Sequence, residues 1–454
     1  MKGLASPPHA RLRTRFAQGR HARPAVLEPA TRQLQFSFLE RRERLELAFK
    51  RAIIGLTLLV LCGLLVLWEN GRYNVMRFVF QGRSTTARTL GLPSDRWAIE
   101  ADWRIRRSHD IEVTRRTYRA SFEKATPEIQ RLLAYGGLTP DDAVFRWGNY
   151  NLVFALPSRV FTPDDAGRSY RMRPYTRSVW IKGVLFAGDA IGPFLMPDTP
   201  ELRRLVAGTG AVVVPGSTQT TNSWGCRGPE PDVNASLRGL VLGDSNMQGL
   251  LVGDDETPPE CLRRELEGRY GTRVSLLNTG HLGYSPEQFY HALVEYGDRF
   301  RPHFVVFSFC MNDFGTAFRP NANPRDLEDG QHWVDQIFHY CRARSICVIA
   351  APVPHEAAVT GVREEGNFPG RICDILPIGS LAYCNPYDAF ADEHLRLTLE
   401  RQRRGEPVTA SPLFNGPLND LHMSALGTAL WGKVVGRRLA LLLERERLEG
   451  RLQE

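Results

Sequence analysis

From Leu237 onward the apolar and polar positions alternate in blocks, short apolar runs followed by longer amphipathic stretches. RGLVLG (238–243), RVSLLN (273–278), HFVVFSF (303–309) and ICVIAAP (346–352) are near-continuous apolar runs. Runs of that kind predict strands buried on both faces. Between them, TPPECLRRELEGRYG (257–271), PEQFYHALVEYGDRF (286–300) and HWVDQIFHYCRAR (332–344) predict helices. In the first of these Thr257 is the N-cap, Pro258 opens the first turn and Gly271 lies just past the end. A long amphipathic helix over 424–448 closes the pattern. Strands separated by helices predict a parallel sheet covered on both sides, a three-layer α/β/α fold. Such sheets carry their sites at the carboxyl ends of the strands.

Before Leu237 the pattern is weaker. SFEKATPEIQRLLAYGG (121–137) predicts one helix ending at a glycine pair. SYRMRPYTRSVWIKGVLFAG (169–188) predicts short strands broken by Pro and Gly. Residues 70–214 therefore form a mixed α+β region with no chemical motif, expected to space the body from a membrane or to cover one side of it.

The expectation of a membrane comes from AIIGLTLLVLCGLLVLW, an uncharged run over 52–68 flanked by Lys50-Arg51 and ending at Trp68. It starts too far from Met1 to be a signal peptide, and Trp68-Glu69-Asn70 is no small-residue cleavage site. A single transmembrane helix over 52–68 is predicted, with a basic cytoplasmic tail over 1–51. The body would lie outside the cytoplasm, in the periplasm of a cell with two membranes. Charge agrees with that division. Residues 1–51 carry twelve Lys/Arg and four Asp/Glu, the whole of the formal net charge of +8. The rest is neutral and has no electrostatic footprint for nucleic acid. Seven of the eight cysteines follow the run, and Cys373 with Cys384 is the preferred disulfide on an oxidising side. None has the spacing of a zinc site. Asp254-Asp255-Glu256 and Glu364-Glu365 are expected to be solvated carboxylates, so neither metal nor cofactor is predicted.

Three strand ends carry polar groups: Gly243-Asp244-Ser245-Asn246, Asn278-Thr279-Gly280-His281-Leu282-Gly283 and Cys310-Met311-Asn312-Asp313. Asn419-Asp420-Leu421-His422 stands before the last helix. A serine becomes a nucleophile when a histidine removes its proton, and backbone N–H groups with an asparagine amide can hold the resulting oxyanion. The set resembles the four blocks of the SGNH (GDSL-type) hydrolases over roughly 215–445. That resemblance implies a flavodoxin-like sheet, Ser245 as nucleophile and His422 as base. It implies Ser245, Gly283 and Asn312 as oxyanion donors, and an ester substrate such as an acylated polysaccharide or a lipid. The alternatives are an O-acyltransferase using the same site and a non-catalytic carbohydrate-binding or assembly protein on this fold. TNSWGCRG (221–228) resembles a stretch often found just ahead of the first block. The chain departs from the family at two positions: Cys310 stands where glycine is usual, and Asn419 where the aspartate is. Asp420, one residue closer to His422, is the expected third triad member. The GxSxG elbow of α/β-hydrolases is absent, because Met247 occupies its second glycine.

Overall fold

The computed structural model describes residues 45–61, 96–148, 153–164, 167–186, 189–190, 193–315, 324–361, 382–407, 410–416 and 422–448. The chain divides into two units, Met1–Trp103 and Arg104–Glu454. In the first, 45–61 is helical and exposes Ile53, Ile54, Leu56, Leu58 and Leu59. Among the described residues no helix is long and apolar enough to cross a membrane. The last part of the expected span, 62–68, lies outside the described residues.

Helix α1 (Arg96–Lys124) leads to α2 (Pro127–Gly136). The sequence pattern suggested one helix through 121–137, and the break has a local cause. Pro127 lacks an N–H and pushes Thr126 out of helical conformation, to φ −65° and ψ 154°. Thr126 instead caps α2 by accepting the Ile129 N–H. Short antiparallel pairs follow: β1 (Val144–Trp147) with β2 (Val153–Leu156), and β3 (Phe161–Asp164) with β4 (Ser169–Met172). Strand β5 (Arg177–Lys182) then pairs with β8 (Phe194–Pro197), β9 (Val212–Val213) and β10 (Gln219–Thr220), and a separate small hairpin, β6 (Leu185–Phe186) with β7 (Asp189–Ala190), lies between β5 and β8 along the chain. Helix α3 (Pro200–Ala207) joins β8 to β9.

The main sheet is built from β11 (Leu237–Leu242), β12 (Val274–Asn278), β13 (Phe304–Phe309), β14 (Cys347–Pro352) and β15 (Ala382–Tyr383). All are parallel, in the order β12-β11-β13-β14-β15, the flavodoxin-like order. Successive side chains on a strand face opposite ways. Leu240, Leu242, Val305, Phe307 and Phe309 accordingly pack on one side of the sheet, against α6 (Pro286–Phe300) and α7 (Pro324–Ala343). Val241, Phe304, Val306, Ile349 and Ala351 pack on the other, against α5 (Pro258–Tyr270) and α9 (Ala425–Leu448). The one-turn α4 (Ser245–Gln248) precedes α5, and α8 (Tyr387–Arg403) precedes α9. Helix α7 begins eight residues before its expected start, because the polar stretch after Pro324, with Gly330 inside it, reads as a loop.

The region before the sheet is part of its core. Val144, Phe161, Tyr170, Trp180, Leu195 and Trp224 lie in one buried cluster with Leu240, Leu277 and Phe307. The expected Cys373–Cys384 disulfide is not supported: Cys384 is a buried free thiol, and Cys373 lies outside the described residues. Asp254 is more than a solvated carboxylate, since it pairs with the buried Arg227 at 2.9 Å.

Candidate active site

Ser245 lies three residues past the end of β11, at the start of α4. Asp244 caps that turn, its Oδ1 accepting the Asn246 N–H at 2.9 Å. The loop after β12 runs alongside: Thr279 N–H donates to Val241 O (2.9 Å) and His281 N–H to Gly243 O (3.2 Å). Asn278 Nδ2 donates to Met247 O at 2.8 Å. Only glycine fits at 280, where a Cβ would come within 2.6 Å of the Gln248 nitrogen. Two strand ends are thereby locked together around the serine.

His422 arrives from the opposite end of the chain. Its carbonyl accepts the Asn415 N–H (2.9 Å), and Ser424 N–H donates to Leu413 O (3.0 Å), so the segment is fixed before α9 begins at Ala425. His422 Nε2 and Ser245 Oγ are 2.7 Å apart. That is the separation at which an imidazole takes a hydroxyl proton.

A cavity of ≈250 Å³ opens beside this pair, lined by Ser245, Asn312, Cys310, Val353, His355 and His422 among others. Asn312 is exposed to it, at the turn after β13. Gly283 lines no part of this cavity. It is buried at φ +71° against Phe154, and a Cβ there would meet that ring. The Ser245 and Gly283 N–H groups have no acceptor among the described residues. An unpaired buried N–H is unfavourable, so both are candidates for an incoming oxyanion. Asp420 and Asn419 lie outside the described residues.

Three groups in and around the site escaped the sequence reading. Arg227, 1% exposed, donates to Gln248 O (2.7 Å), Gly249 O (2.6 Å) and Val252 O (2.7 Å), holding the end of the turn that carries Ser245. The only signal was its place in TNSWGCRG. His355 lines the cavity with its Nδ1 accepting the Ala357 N–H at 3.2 Å. His281 is buried and accepts the Met172 N–H through Nε2 (3.3 Å); burial pushes its imidazole down to about 4, so it stays neutral and bridges β4 to the second block.

Cys310 supplies a second potential nucleophile in the same cavity. Its Sγ–H has three neighbouring acceptors: Asp244 Oδ2 at 3.0 Å, Asn312 Oδ1, and Asp313 Oδ1 at 3.7 Å. Burial and the two carboxylates push the thiol well above its ordinary value. Burial also raises Asp313 well above the carboxylate range, with the Asp244 charge adding to it. A thiol held protonated is a poor nucleophile. Iodoacetamide near neutral pH is therefore expected to leave Cys310 unmodified in peptide mass maps of the folded protein. Rapid alkylation there would make it a rival to Ser245. Asp244, Cys310 and Asp313 also place ligand atoms within 4.8 Å of one another. Their oxygens, however, already accept from Asn246 N–H and from Cys310 N–H (2.8 Å), as structural carboxylates do.

No family model and no curated protein matches the chain. Partial similarity to solved structures is found. A lipase/acylhydrolase from Enterococcus faecalis is 17% identical with a TM-score of 0.32, over 45% of this chain and 95% of that one. The lipase Lip_vut3 from a goat rumen metagenome is 13% identical with a TM-score of 0.33, over 45% and 97%. The acetyl xylan esterase AlAXEase is 12% identical with a TM-score of 0.35, over 46% and 100%. Each overlap is under half of this chain, and the functional reading rests on the residues of the site.

Proposed function

We propose that the protein is a serine esterase of the SGNH type, and the observation that carries this is the 2.7 Å contact between Ser245 Oγ and His422 Nε2. Ser245 attacks an ester carbonyl while His422 takes its proton. Ser245 N–H, Gly283 N–H and the Asn312 side chain hold the oxyanion. His422 then returns the proton to the leaving alcohol, and water releases the acyl group from Ser245 by the same steps in reverse order of roles. Cys310 lies in the same cavity, but burial first and the Asp244 charge after it push its thiol well above the ordinary value, which favours the serine.

The location belongs to the same proposal. The basic tail, the uncharged run over 52–68 and the exposed apolar side chains of helix 45–61 support a single membrane anchor, with the esterase outside the cytoplasm. Acylated envelope polysaccharide and lipid are the ester classes that such a location would present.

Turnover of p-nitrophenyl acetate by the full chain in detergent tests the reaction. Asn312→Ala is expected to lower kcat by roughly 10²–10³, the scale of one oxyanion donor. Full activity in Asn312→Ala would remove that residue from the oxyanion site. No turnover by the wild-type protein of this or any other ester would leave a binding or assembly role.

A further inference from the structure

A second cavity, ≈630 Å³, lies within the Arg104–Glu454 unit and shares His422 with the first. Its remaining walls come from α1, β2, β3, β5 and β8, together with Leu250 and Leu282. Leu282 directly precedes Gly283 in the second block, so the cavity touches both the base and the neighbour of an oxyanion donor. Val113, Phe154, Phe194 and Leu282 present apolar surface to it, and the buried Phe161, Trp180, Leu195 and Leu250 complete the wall. Phe161, Trp180, Leu195 and Leu250 are each no more than 2% exposed. Polar side chains on α1 turn to the protein: Tyr118 OH donates to Leu138 O (2.7 Å) and Thr117 Oγ1 to Val113 O (3.1 Å). The remaining polar side chains of the lining are Thr114, Ser121 and His422, few beside its apolar ones.

Resting on the esterase reading, we propose that this cavity holds the apolar chain of the substrate, making the natural ester lipid-like rather than an acetylated sugar. The region before the sheet thereby acquires a role: it supplies the aromatic wall of the substrate site. Volume and lining are those of a pocket that encloses a ligand of moderate size. A well-fitted apolar chain gains about fourfold in affinity per buried methylene.

Two series of esters locate the chain on the acyl or the alcohol half: methyl acetate to methyl octanoate, and ethyl acetate to octyl acetate. Binding is measured by calorimetry on full-length Ser245→Ala in a fixed detergent background, so that the readout does not depend on turnover. One series is expected to tighten by about tenfold or more from its shortest to its longest member. That gain should fall at least severalfold in Thr117→Trp, which fills the cavity from α1, and in Phe194→Ser, which removes part of its wall. Thermal unfolding and circular dichroism check that both variants fold. Two flat series would overturn the proposal, as would a gain unchanged in both folded variants. Hydrolysis of the same esters by the wild-type chain separates the two readings. Absence of Ser245-dependent hydrolysis sinks the esterase, while the calorimetric series alone decides the cavity.

Discussion

Ser245→Ala is expected to lower kcat for p-nitrophenyl acetate by a factor on the order of 10⁴–10⁶ while leaving the fold in place. Oγ is the atom that forms the acyl bond, so nothing in the cavity replaces it. Its structural contribution is small: one hydrogen bond to His422 and a long one, 3.4 Å, to Asp244. A single hydrogen bond is worth about 1 kcal/mol, which shifts an unfolding midpoint by roughly 3 °C or less in a unit of this size. The architecture around it survives through Asp244, Arg227 and the loop after β12, none of which needs Oγ. Steady-state kinetics with a parallel thermal melt distinguishes the two effects. A variant that keeps more than about a tenth of the activity would show that another nucleophile acts.

The next largest effect is expected at Asp420. His422 meets Ser245 through Nε2, so Nδ1 is the nitrogen that an acid must hold. Helix α9 begins only at Ala425, so His422 lies outside the helix. Loss of the acid from such a triad costs about 10⁴ in turnover. Asp420→Ala is therefore expected to lose a thousandfold or more, and Asn419→Ala less than tenfold, since a neutral amide cannot stabilise the imidazolium charge. Comparing kcat for the two variants in one assay decides between a triad and a dyad. A loss below tenfold in Asp420→Ala would leave Ser245 and His422 acting as a dyad.

The sheet was legible because its strands are buried on both faces, so RGLVLG and HFVVFSF announce themselves without neighbours. Helix α5 was equally clear, since Thr257, Pro258 and Gly271 occupy its capping positions as the local chemistry requires. Strand β15 was missed: Ala382–Tyr383 is two residues long and gains its place only by pairing with β14. Ser245 and His422 could be paired in advance because each sits in a distinctive polar block at a strand end or helix start. Arg227 could not, because its partners are three backbone carbonyls that carry no residue-type signal. The second cavity was hidden for a related reason. Phe154, Trp180 and Leu282 read individually as core, and only the fold brings them to one cavity with His422. Cys310 illustrates the converse: its substitution for glycine was visible, whereas the burial and the neighbouring Asp244 that push its thiol up arise only through folding.

Covalent labelling with a fluorophosphonate, followed by peptide mass mapping, tests the central claim most directly. The reagent phosphonylates a serine that a histidine has activated. The mapping is predicted to find a single adduct on Ser245 in the wild-type chain and none in His422→Ala. An adduct on Cys310, or an unmodified Ser245 in the folded wild-type protein, would contradict the account.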